Sequence, residues 1–107
     1  MSDTPLLAFT TLGSTEDARR LVRALVDERV VACGTIVPGA TSIFWWQEMV
    51  QEEAEVVVLL KTMASRWEAL ADAVRRHHPY EVPELIAVPV GRGLDAYLAW
   101  LAREVTP

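Results

Sequence analysis

Thr41-Ser-Ile-Phe-Trp-Trp-Gln-Glu-Met-Val-Gln-Glu-Glu-Ala-Glu-Val-Val-Val-Leu-Leu-Lys-Thr62 is the stretch on which the fold of this chain turns. Its ends are rich in β-branched and aromatic residues and its middle is polar. That pattern predicts a long hairpin with arms at Thr41–Met49 and Ala54–Thr62 and a tip at Val50–Glu53. A strand with one wet face alternates apolar and polar residues, but these arms do not. Ile43, Trp45 and Met49 fall on one face of the first arm, and Phe44, Trp46 and Val50 on the other. Val56, Val58 and Leu60 oppose Val57 and Leu59 in the second.

A compact chain of 107 residues has a radius of gyration of roughly 13 Å, hence a diameter of about 34 Å. An arm of about ten residues, at about 3.4 Å each, is already that long. Its far end therefore overhangs the subunit and carries indoles with it, and exposed apolar patches of this kind mark interfaces. The expectation is an oligomer whose hairpins clasp neighbouring subunits. The alternative is a monomer with its apolar sheet face tucked under the C-terminal segment.

Outside the hairpin the chain reads as one domain, residues 1–107. Pro5 to Thr11 is a buried strand that Gly13 breaks. Ser14 opens a helix with Asp17 as its capping partner, and Ala18, Leu21, Val22, Leu25 and Val26 form its apolar stripe. Glu16 with Arg20, and Arg23 with Asp27, are spaced as i,i+4 ion pairs. Val30 to Val37 is the next strand, ended by Pro38-Gly39 as a bend or bulge. After the hairpin the opening pattern returns: Thr62-Met-Ala-Ser65-Arg-Trp-Glu68 matches Thr11-Leu-Gly-Ser14-Thr-Glu-Asp17 in the spacing of threonine, serine and acid. A second helix follows, with Trp67, Leu70, Ala71 and Val74 inward and Pro79 at its end. Pro83 to Val90 is a strand, and Gly91 and Gly93 lead into a short helix with Leu94, Tyr97, Leu98 and Leu101 inward. Strand-helix-strand thus occurs twice around a hairpin, which is the α+β, ferredoxin-like βαββαβ plan. Its second sheet face is apolar too, and one short terminal helix is too small to cover it.

Composition narrows the function. Hydrophobic residues make up 51% of the chain and the net charge is -5, which argues against nucleic acid because phosphate binding needs a basic patch. No apolar run approaches the roughly 18 residues of a membrane span. The opening Met-Ser-Asp-Thr-Pro lacks the basic and apolar regions of a signal peptide. A cytoplasmic protein is expected, and a lone cysteine, Cys33, fits that compartment. Nucleophile elbows, phosphate loops and dinucleotide fingerprints are absent, so nothing points to an enzyme.

The densest functional cluster is His77-His-Pro-Tyr-Glu-Val-Pro-Glu84. Imidazole suits copper, zinc and nickel. Adjacent helical residues point about 100° apart, however, so His77 and His78 share one ion only where the helix has unwound. The alternative is that they end a helix favourably against its dipole. Cys33, in an apolar strand, reads as a small core residue. Trp45, Trp46, Trp67 and Trp100 read as packing residues, and Gln47, Glu48, Gln51, Glu52, Glu53 and Glu55 as a solvated tip. Lys61, ending a central strand, must reach solvent or pair with a carboxylate, for which Glu84 is the candidate. With Tyr80 the two would define a ligand cleft.

These residues resemble the CutA family, the divalent-cation tolerance proteins. The likeness rests on Thr10-Thr11, Val31-Ala-Cys33, Ile36 to Ile43 leading to Trp46, Glu55 before Leu60-Lys-Thr62, His78-Pro-Tyr-Glu-Val-Pro-Glu84, and Tyr97-Leu with Trp100-Leu101. It implies a ferredoxin-like subunit, a homotrimer built from the hairpins, a likeness to PII signalling proteins, and a link to copper and other divalent metals. The family's proposed copper ligands map onto His77 and His78 and onto a strand-end position. That position holds cysteine in some members and Thr10, a poorer copper ligand, here. The expected role is therefore divalent-metal tolerance with weak copper binding at His77 and His78. The rival is a PII-like module holding a small anionic ligand or a protein in intersubunit clefts near Lys61, Tyr80 and Glu84.

Overall fold

Ser14 turns the end of the first strand into a helix: its backbone is extended and its side chain accepts a hydrogen bond from the Asp17 amide at 3.1 Å. The computed structural model describes residues 3–107; Met1 and Ser2, part of the N-terminal reading above, lie outside them. In order the elements are β1 (Pro5–Leu12), α1 (Thr15–Asp27), β2 (Cys33–Trp46), β3 (Met49–Met63), α2 (Trp67–His77), β4 (Ile86–Pro89) and α3 (Asp95–Glu104). A single 3-10 turn, Ala64–Arg66, leads into α2. The sheet is antiparallel throughout in the order β2-β3-β1-β4, which is the expected ferredoxin-like arrangement.

α1 ends in a Schellman motif. The Val30 amide bonds the Leu25 carbonyl and the Arg29 amide bonds that of Val26, with Arg29 at φ 58. Leu21 and Leu25 of α1 and Leu70, Ala73 and Val74 of α2 pack on Ala8, Leu12, Val58 and Leu60 of the sheet. Each fully buried leucine contributes about 1.5–3 kcal/mol relative to exposure. Both expected ion pairs of α1, Glu16–Arg20 and Arg23–Asp27, are present on its wet side.

Several boundaries differ from the sequence reading. The hairpin tip is not Val50–Glu53 but Gln47–Glu48, whose φ values of 51 and 66 make a two-residue turn. Positive φ at both central residues gives that turn a twist matching the flanking strands, and it sets Trp45 opposite Val50 and Trp46 opposite Met49. The strand expected to end at Val37 continues: Pro38 and Gly39, the latter at φ 91, form a bulge between Val37 and Ala40. β2 and β3 are therefore 14 and 15 residues long. β4 is only Ile86–Pro89, because β1 offers it partners from Leu6 to Phe9 alone. Ser65 does not cap α2; it sits in the 3-10 turn and bonds Asp3. In α2 it is Ala73 rather than Ala71 that is fully buried, and in α1 Val26 is exposed.

Register places Leu7, Phe9, Val57, Leu59, Ile86 and Val88 on the sheet face away from α1 and α2. α3 covers only its Met63 end, through Leu101 and Val105 with Trp100 beside them. Leu94 and Tyr97, expected inward, are exposed, as are Ile86 and Val88. The molecule measures 44 × 25 × 23 Å, with a radius of gyration of 14.4 Å. The ribbon overhangs as its length requires, and Trp45 near its end is 74% exposed.

Candidate functional site

β1 stops at Leu12, opposite Val56, and beyond that point β2 and β3 run on with only each other. The loop after α2 folds against the near end of this free ribbon, held by His78. The His78 Nδ1 accepts from the Tyr80 amide at 3.1 Å, so its Nε2 carries the proton and donates to the Thr11 carbonyl at 2.9 Å. Burial lowers the imidazole's pKa, only partly opposed by the Thr11 carbonyl and Glu55. His78 is thereby a neutral positioning residue with both nitrogens committed.

His78 sets Tyr80, whose ring stacks edge-on against it with centroids 4.8 Å apart. The Tyr80 hydroxyl reaches past Gly13 and donates to Glu55 Oε2 at 2.5 Å. Burial, reinforced by the Glu55 hydrogen bond and charge, raises the phenol's pKa. Between loop and ribbon lies a groove of about 690 Å³. Tyr80, Glu81, Val82 and Glu84 line one side; Ser42, Phe44, Trp46, Glu53 and Glu55, which share a ribbon face by register, line the other. Glu55 is only 8% exposed, against the expectation of a solvated tip carboxylate. The groove thus presents four carboxylates between aromatic walls and no basic side chain.

Of the expected cleft residues, Tyr80 and Glu84 meet here and Lys61 does not. Lys61 lies beside Leu7 and Cys33 in the sheet and donates to Thr35 Oγ1 at 2.7 Å. The Lys61–Glu84 pair is not among the ion pairs of the described residues, because Glu84 precedes β4 at the opposite end of β1. Sequence reasoning misses Glu55 as a member of the site. Its sequence signals are a carboxylate abutting the apolar run Val56–Leu60 and its place among the residues that carry the CutA resemblance, and nothing local names Tyr80 as its partner.

The two histidines diverge. His77, at the end of α2, places Nε2 2.6 Å from Glu28 Oε2, while Arg76 Nη2 lies 2.7 Å from Glu28 Oε1. The Arg76 hydrogen bond, then that of His77, holds the Glu28 carboxyl down at about 2. Among the described residues no three His, Cys, Asp or Glu side chains converge as metal ligands. The pair does not fit a shared ion, since His78 has no free nitrogen; His77 with Glu28 offers two donors. Thr10, at the family's strand-end position, is fully buried and its hydroxyl has no partner. Cys33 is half-buried under α3, its Sγ 3.9 Å from the Tyr97 hydroxyl.

A family model described as CutA1 divalent ion tolerance protein matches residues 6–104. The Divalent-cation tolerance protein CutA of Thermus thermophilus is 46% identical over 95 residues, 89% of this chain and 92% of that protein. Human Protein CutA is 43% identical over 99 residues, 92% of this chain but 55% of that protein, so the chain spans about half of its length. A solved divalent cation tolerance protein (Cut A1) from Thermus thermophilus superposes with a TM-score of 0.90 at 42% identity, over 94% of this chain and 97% of that one. Alike in sequence from Leu6 to Glu104 and in the path of its strands and helices, the chain belongs to the CutA1 divalent ion tolerance protein family.

Proposed function

We propose that this protein serves divalent-ion tolerance by binding rather than catalysis, as a cytoplasmic homotrimer. One observation carries the assembly: an apolar sheet face and a ribbon that a single chain leaves open, with Ile43, Trp45, Met49, Val50, Ile86 and Val88 all exposed. Surface of this extent and composition is buried in oligomers. Sedimentation at micromolar concentration tests it; a stable single subunit rejects the assembly.

Copper or another divalent ion binds weakly in this reading, through the exposed His77 ring with Glu28 as its neighbour. The affinity is low because the ion displaces an existing Arg76–Glu28–His77 network and gains few ligands. His78 contributes by fixing the loop and not by coordination. Titration calorimetry with copper and zinc distinguishes the two: His77→Ala abolishes the heat and His78→Gln leaves it. Unchanged heat in His77→Ala removes the site.

The groove supports a second reading, a PII-like binding module holding a ligand or protein partner at an intersubunit cleft. Its carboxylates favour a cationic group over the small anion that a lysine in the cleft would attract. A thermal-shift series with cationic and anionic small molecules tests this, since a ligand selective for the folded assembly raises the melting temperature. Stabilisation by anions alone rejects the cationic preference.

A further inference from the structure

The groove has a complement at the opposite end of the same chain. Beyond β4, Val90 donates to the Pro5 carbonyl at 2.9 Å, and the turn into α3, Gly91-Arg92-Gly93-Leu94, is exposed at all four residues. Leu98 packs directly on Gly93, where a Cβ would come within 2.9 Å of its Cδ2, so the turn is held from behind. In front it presents Leu94, the most exposed large hydrophobic residue at 82%. Arg92 has no ion pair among the described residues, and neither have Glu53, Glu81 or Glu84. A cation with an apolar neighbour thus lacks a partner at one end, and acids beside Trp46 and Phe44 lack one at the other.

The same chain does not bring them together. From Pro5, beside the turn, to Thr11, at the groove, β1 runs about 20 Å. Plug and socket at opposite ends make a head-to-tail contact, and such contacts form a ring when the rotation between copies closes, as it does in a trimer. We infer that each groove is completed by a second copy of the chain, with Arg92 of the partner subunit entering among Glu53, Glu81 and Glu84 and Leu94 of the partner subunit lying against the aromatic wall. This rests on the trimer proposed above and adds to it a residue: the cleft is acidic in one subunit and mixed in charge in the assembly. Arginine suits the position because its planar guanidinium pairs with carboxylates and stacks on indole.

The test uses Lys61 being the only lysine of the chain. Arg92→Lys introduces a second lysine side chain, whose amine a carbodiimide couples to any carboxylate in contact. Equal parts of unlabelled and 15N-labelled Arg92→Lys protein are mixed, unfolded, refolded and coupled. Mixed-isotope peptides joining position 92 to Glu81, Glu84 or Glu53 are expected, and Glu53→Gln/Glu81→Gln/Glu84→Gln in the same background removes them. Arg92→Glu is expected to raise the concentration at which the assembly dissociates by at least tenfold. An Arg92→Lys trimer showing no such intersubunit link, or an Arg92→Glu trimer that dissociates no more readily, overturns this contact while leaving the trimer standing. A monomeric wild type overturns both.

Discussion

Tyr80 and Glu55, 25 residues apart in the chain, are joined by a 2.5 Å hydrogen bond that ties the loop after α2 to the free ribbon. Glu55 is nearly buried, so removing the donor strands a carboxylate away from water. Tyr80→Phe is therefore expected to destabilise the fold by about 1–3 kcal/mol, measured by denaturant unfolding at fixed protein concentration. The phenol's raised pKa adds a pH signature. Stability from the protonated phenol is complete below its ordinary value near 10 and is lost as pH rises beyond it. The Tyr97 phenol is raised in the same direction, by burial and by Cys33. Ultraviolet titration should show Tyr80 without a phenolate step near pH 10 until the protein unfolds, and Tyr97 titrating above its ordinary value; an ordinary step from Tyr80 contradicts the geometry.

Glu28 predicts behaviour in acid. Arg76 and His77 hold its carboxyl at about 2, below the usual 4.5, so its contribution is present above about pH 4.5 and fades as pH falls towards 2. Glu28→Gln should lower the melting temperature near neutrality and match the wild type at pH 2. Parallel scanning calorimetry from pH 2 to 7 measures this, and a difference independent of pH contradicts it.

His78 should remain neutral with its proton on Nε2, since Nδ1 accepts from the Tyr80 amide. Long-range 1H–15N spectra are expected to show that tautomer, titrating below the ordinary 6.5 because burial opposes the charge. The linked stability is lost as pH falls through 6.5 and below. A midpoint at or above 6.5 contradicts the burial.

Gly34 is where β2 passes close beneath Val22 of α1. A Cβ there would stand 2.8 Å from Val22 Cγ1 and 3.1 Å from Leu60 Cδ2. Gly34→Ala should cost about 1–3 kcal/mol by overpacking, and Val22→Ala in the same chain should recover part of it, read by a double-mutant cycle.

Thr10 predicts a gain. Its hydroxyl is buried without a partner, and an unsatisfied buried polar group costs about 1–3 kcal/mol. Thr10→Val keeps the shape and removes the hydroxyl, so it should raise stability by about 1 kcal/mol. A loss on denaturant unfolding would show that the hydroxyl is satisfied in the assembly.

Local chemistry accounts for what was legible. Ser14 caps α1 as its spacing requires, the i,i+4 pairs of that helix form, and both long arms pair as a ribbon too long for the subunit. The errors fall where two local signals compete. Polar composition points to Val50–Glu53 as the tip, yet Trp45–Val50 and Trp46–Met49 pairing moves it to Gln47–Glu48. Pro38-Gly39 reads as a strand end, but a bulge absorbs both residues without breaking the ladder. Ser65 repeats the spacing of Ser14 and does not cap, because Asp3 takes its hydroxyl.

From residue order alone came the strand-helix rhythm, the doubled βαβ plan and the excess of apolar surface, since periodicity, caps and turn residues act within a few positions of one another. Tertiary structure alone decided the site. It paired Glu55 with Tyr80, removed Lys61 to the other end of β1, and gave His77 to Glu28 and His78 to Thr11. Those partners lie 25 to 67 residues apart. Which of several acids a given hydroxyl, amine or imidazole meets depends on strand register and on where β1 stops, and neither is written in the few residues beside it.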